Sequence, residues 1–150
     1  MIHNGRGDRS RIRLDPVSYT EAREVIDIEK QVAYWRDGSR EDLLVARELV
    51  DRGRARHGLF FAHLALEKVL KACVCRRTQD LAPRLHNLVR LGEIAGLVLT
   101  ESQLDVLAEM NAFSLEGRYP ESRLLSPEKG EACSYLARAE ELFQWLMSQL

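Results

Sequence analysis

Proline, cysteine and aromatic residues are all scarce in this chain of 150 residues, and each shortage closes off a class of protein. Four prolines and nine glycines are too few for a collagen-like or low-complexity chain. Three cysteines, an odd count, do not make a disulfide framework. Two of them, Cys73 and Cys75, point roughly 200° apart on a helix and cannot share one metal ion. They read as small core or surface residues, and no metal site is expected. No uncharged apolar run approaches the roughly 18 residues that a membrane span needs. The opening MIHNGRGDRSRIR lacks the apolar segment of a secretory signal, so the reading is cytoplasmic, with no membrane partner. No segment alternates with period two for long enough to make a strand. No glycine-rich phosphate loop and no internal repeat is visible, so no cofactor is expected.

What remains is ordinary globular composition, 45% hydrophobic and 30% charged, on a chain long enough for one core. The net charge of −1 argues against a general nucleic-acid coat while leaving room for local basic patches. One such patch lies in a basic, flexible arm over residues 1–24, with Arg6, Arg9, Arg11 and Arg13. Another is the turn where Arg52, Arg54 and Arg56 crowd around Gly53, either a solvated loop or a phosphate contact.

Apolar spacing near three and a half residues predicts five helices. The first, about residues 24–50, carries Ile28, Val32, Trp35, Leu43, Ala46 and Val50, with Gly38 weakening its middle. The second, about residues 56–76, has an apolar face too wide for one intramolecular neighbour, so it is expected to be central and to help form a twofold homodimer. A short third helix over about residues 86–95 is closed by Gly96. Thr100-Glu101-Ser102-Gln103 is a capping box opening the fourth, with Leu104, Leu107, Ala108 and Leu115 as its apolar members. Ser126-Pro127 is expected to open the fifth, which carries Ala132, Leu136, Ala139, Phe143, Leu146 and Leu150. The fold class is all-α, an up-and-down antiparallel helical bundle of about five helices.

With no other machinery, chemistry must come from polar side chains on these helices. His63 falls in the apolar stripe of the second helix, the place of a hydrogen-bonded core histidine or of a catalytic one. Glu67 and Lys71 are spaced for an i, i+4 surface ion pair, and Lys68 shares their ridge. A groove there, in which His63, Glu67, Lys68 and Lys71 meet His57 or His86, would gather donors, acceptors and a protonatable ring for a phosphate-bearing ligand.

Three segments carry a resemblance. The helix HGLFFAHLALEKVLKA (residues 57–72), the island Leu85-His86-Asn87-Leu88 and the exit Gly117-Arg118-Tyr119-Pro120 together resemble the HEPN domain, over about residues 25–150. The resemblance covers order and spacing, and the Glu67, Lys68 and Lys71 ridge matches the family's own. It implies a helical homodimer, and its function splits. Many HEPN proteins are metal-independent ribonucleases with an Arg, four to six residues, then a His, in the later half of the domain. Here that half offers Arg118 but no histidine, because His86 is the last in the chain. The spacing recurs earlier as Arg52 with His57 and as Arg56 with His63, the latter pair being the catalytic candidates. Other members pair with a minimal nucleotidyltransferase in toxin–antitoxin-like modules and bind a nucleotide or RNA. That reading leads, with Arg118 and Tyr119 as further ligand contacts or as an ordered corner after the fourth helix. An endoribonuclease toxin is second and a non-catalytic interaction scaffold third.

Overall fold

The computed structural model describes residues 25–114 and 127–150. The basic arm, Arg118, Tyr119, Leu115 and Ser126 therefore lie outside the described residues. Five α-helices run in order: α1 Ile28–Asp51, α2 Ala55–Thr78, α3 Leu88–Ile94, α4 Glu101–Asn111 and α5 Lys129–Ser148, with a 3-10 turn at Ala112–Ser114 after α4. The described residues form a helical bundle without strands, as the apolar periodicity predicts.

Local chemistry sets each boundary. The Asp27 carboxylate accepts from the Lys30 amide at 3.2 Å, so α1 begins at Ile28, later than expected. At the other end the Gly53 and Arg54 amides donate back to Val50 and Leu49, closing a three-residue turn with Gly53 at φ +79°. Asn87 caps α3 by accepting from the Arg90 amide at 3.1 Å, which leaves His86 outside the helix that it was expected to start. The capping box of α4 is present in full, and Gly96 takes the left-handed conformation foreseen for it, φ +66°. Pro127 stands before α5 and not at its first position, since the helix opens at Lys129.

The core surrounds α2. Its apolar residues, among them Leu59, Leu66, Val69 and Leu70, are buried against Leu43, Ala46 and Val50 of α1 and against Leu142, Phe143 and Leu146 of α5. Leu88 and Leu91 of α3 and Phe113 after α4 close its remaining side. The chain itself thus covers the width of α2, and the homodimer expectation loses the support it drew from that face. On α4 the buried side is Val106, Leu107 and Met110, whereas Leu104 and Ala108 face outward, a rotation of the expected stripe. At Gly58 the backbones of α1 and α2 come close: a Cβ placed there would lie 2.5 Å from Val50 Cγ2 and 2.9 Å from the Val50 amide nitrogen.

Candidate functional site

Polar residues interrupt the α1–α2 core along one line. On α1 the stripe of Val32, Trp35 and Ala46 also carries Ser39 and Asp42, both buried. On α2 His63, Glu67 and Lys71 are buried too, and Lys71 meets Trp35 of α1. Glu67 is the hub. Its Oε2 pairs with Lys71 Nζ at 3.3 Å, and its Oε1 meets His86 Nδ1 at 2.8 Å. The Glu67 and Lys71 side chains are only 6% and 7% exposed, so this is a buried ion pair and not the surface pair that the spacing suggested. Lys71 Nζ also sits 5.1 Å from the centroid of the Trp35 ring, a cation–π contact.

A carboxylate only accepts, so His86 Nδ1–H donates to Glu67 and Nε2 carries the lone pair, without a partner among the described residues. That ring is 61% exposed. The main chain of His86 is held as well: His63 Nε2–H donates to the His86 carbonyl at 3.2 Å. His63 is 1% exposed, and its Nδ1 has no partner among the described residues. Two buried side chains therefore fix one exposed imidazole, Glu67 by its ring and His63 by its backbone.

Burial holds His63 below its ordinary value of 6.5, with Glu67 pulling the other way. The folded state keeps a neutral ring while the unfolded chain takes up a proton near 6.5. The unfolded state then binds more protons, so stability falls as pH drops below that value, with a limiting slope of about 1.4 kcal/mol per pH unit. Urea denaturation of the parent should lose stability between about pH 7 and about pH 5.5, and His63→Gln should lack this component. An equal pH response in the two proteins would show that His63 is not the group responsible.

Lys68 crosses α1 at Gly38, where a Cβ would lie 3.3 Å from its Cδ, and pairs with Asp42 at 2.7 Å. Its charge is thus turned toward α1. Arg56 is half-buried in the first turn of α2 and His57 is exposed beside it. Among the described residues neither makes a hydrogen bond or ion pair with the Glu67 cluster, and Arg56 stands about 10 Å from His63 along the axis. The Arg56 and His63 pairing would place a phosphate against a histidine that solvent does not reach. Arg52 and His57 are both exposed beside the α1–α2 turn, away from the cluster. Cys73 and Cys75 are buried, which pushes the Cys73 thiol up to about 11 and raises Cys75. Both thiols are therefore unreactive core residues.

The sequence reading missed Asp42, although it follows Trp35 by seven residues on the apolar stripe, where a carboxylate is out of place. It also missed Asn111, whose Oδ1 accepts from the Leu88 amide at 2.8 Å and whose Nδ2 donates to Asn87. That clamp fixes the start of α3 just beyond His86.

Comparison with known proteins agrees with the helical fold. The family model described as the HEPN domain matches residues 32–150. No curated protein matches the sequence. Among solved structures, TT1696 from Thermus thermophilus aligns with a TM-score of 0.67 at 19% identity, covering 80% of this chain and 98% of that one. ST0689, described as an archaeal HEPN homologue, aligns with a TM-score of 0.63 at 18% identity, covering 79% of this chain and 96% of its own. At these identities the two structures speak for the fold alone, and the family assignment rests on the match over residues 32–150: the chain belongs to the HEPN domain family.

Proposed function

We propose that this chain is a cytoplasmic, dimeric HEPN subunit that binds a nucleotide or RNA and works beside a minimal nucleotidyltransferase in a toxin–antitoxin-like module. The observation that carries the ligand-binding part is the His86 imidazole, exposed yet fixed through Glu67 and His63. Burying a carboxylate and an ammonium costs several kcal/mol each before their attraction is counted, so the arrangement is a poor device for stability alone. It is a good one for presenting a ring at a set angle, with Nε2 free to accept from a ligand hydroxyl or, when protonated, to donate to a phosphate. The partner and the module rest on family membership.

The test titrates ATP and a short single-stranded RNA into the parent and into His86→Ala at low salt. Because the ring lies mostly in water and Glu67 keeps Lys71, the variant should stay folded. Its binding should weaken about tenfold, the worth of one hydrogen bond to a charged group. Cleavage of the RNA in chelator by the parent and not by the variant would replace this reading with the endoribonuclease one. Absence of both binding and cleavage would leave the interaction scaffold.

A further inference from the structure

We propose that the connection between α2 and α3, residues 79–87, is a strap that acid releases from α2, uncovering the buried His63 and Glu67 to which His86 is tied. This concerns the regulation of the site described above and rests on that reading only for its consequence, because the strap can be followed without any ligand.

The strap has no regular secondary structure, and most of its residues are exposed. Leu85 packs on the main core and Ala82 against the small cluster around Trp35 and Cys75. The two hydrogen bonds that tie its far end to α2 both run through His86, one from His63 to the carbonyl and one from the ring to Glu67. The closed arrangement thus needs a neutral His63, with Nε2–H donating and Nδ1 bare.

A proton added to His63 must sit on Nδ1, which faces no acceptor among the described residues. Three charged or titratable groups act on that ring among the described residues: Glu67 and Lys71 from α2, and His86 from the strap. Glu67 is the single anion of the three, and Lys71 and His86 already share its two oxygens. A protonated His63 would therefore be a buried cation beside an ammonium, with no carboxylate oxygen of its own. Lifting the strap, whose carbonyl His63 holds, would open a way for water to reach it. The charge on His63 sets the direction, because the His86 ring is 61% exposed, where an ion pair gains little. Burial opposes that charge in the same sense.

Hydrogen exchange of the strap amides, corrected for intrinsic rates and followed from about pH 7.5 to about pH 5.5, tests this directly. The parent should lose protection at the hydrogen-bonded strap amides, those of Gln79 and Leu85, by up to about tenfold per pH unit, while α1 and α5 remain far better protected at every pH. His63→Gln, whose amide can still donate to the His86 carbonyl but does not titrate, should show no such change. Equal strap protection at both ends of the range, simultaneous opening of α1 and α5, or an unchanged pH response in His63→Gln would each overturn the proposal. Should His63→Gln not fold, the ring nitrogens of His63 can be titrated by NMR in the parent. Their midpoint must coincide with the loss of strap protection, and a mismatch overturns the proposal equally.

Discussion

Glu67→Ala is expected to destabilise the protein by about 3–5 kcal/mol, because it leaves one partner of a buried ion pair without the other. The Lys71 side chain, 7% exposed, would keep its charge against the Trp35 ring with no carboxylate to answer it. In the same step His63 and His86 would lose the anion that acts on both. Against a typical total of roughly 5–15 kcal/mol, such a loss brings the domain close to unfolding. Glu67→Gln should cost less, since its amide oxygen can still accept from His86. Removing both charges in Glu67→Ala/Lys71→Met should recover much of the deficit, because a pair replaced by apolar groups leaves no orphan charge. Urea midpoints at constant m-value decide the matter. A single variant within about 1 kcal/mol of the parent, or a double variant no better than the single one, would show that the pair is not holding the charge as described.

Gly58→Ala should also destabilise, by about 1–3 kcal/mol, although alanine is the better helix former by roughly 1 kcal/mol. The reason is the contact with α1. The new Cβ would lie 2.5 Å from Val50 Cγ2, 2.9 Å from the Val50 amide nitrogen and 3.1 Å from the Ala46 carbonyl oxygen. Val50 can turn its methyl away, but two of those atoms are backbone, so the helices must separate and loosen the layer beneath. Gly130 in the first turn of α5 is the control, since no described residue lies within 4 Å of its Cβ position. Gly130→Ala should stabilise and Gly58→Ala should lower the melting temperature by about 2–4 °C for each kcal/mol lost. Equal stabilisation by the two substitutions would mean that α1 and α2 are not in contact at Gly58.

Much of this was legible in the sequence because helices advertise themselves through spacing. Val32, Leu43, Ala46 and Val50 on α1, and Ala132, Leu136, Ala139, Phe143 and Leu146 on α5, are buried as their periodicity requires. The phase of α4 was misjudged because Leu104 and Ala108 are apolar at the same spacing as the side that is buried. Val106 and Met110 win only because the neighbouring helices lie on their flank. The Glu67 cluster was half legible. His63 stood out as a histidine in an apolar stripe, and His86 was among the rings expected to meet it. Which charged residues are buried depends on what crosses over them, and the strap that meets Glu67 through His86 has no periodicity to reveal its path. Asp42 was hidden for a related reason, since Glu41 beside it made the pair look like a solvated turn of helix.

The turn at residues 52–54 bears on the order in which the molecule assembles. Two helices of 24 residues each are joined across three residues, so their first contacts close a very short loop. Loop-closure entropy grows with the logarithm of loop length, about 0.6 kcal/mol for each doubling, and the α1–α2 hairpin begins at the low end of that scale. Contacts between α2 and α5 close over far longer stretches, and such non-local pairings slow folding. Trp35, Asp42, His63, Glu67, Lys71 and His86 all lie within the hairpin and the stretch that directly follows it. The polar cluster is thus drawn together by the part of the chain that can collapse before α5 arrives, and the last helix to dock seals the far side of α2 rather than building the site.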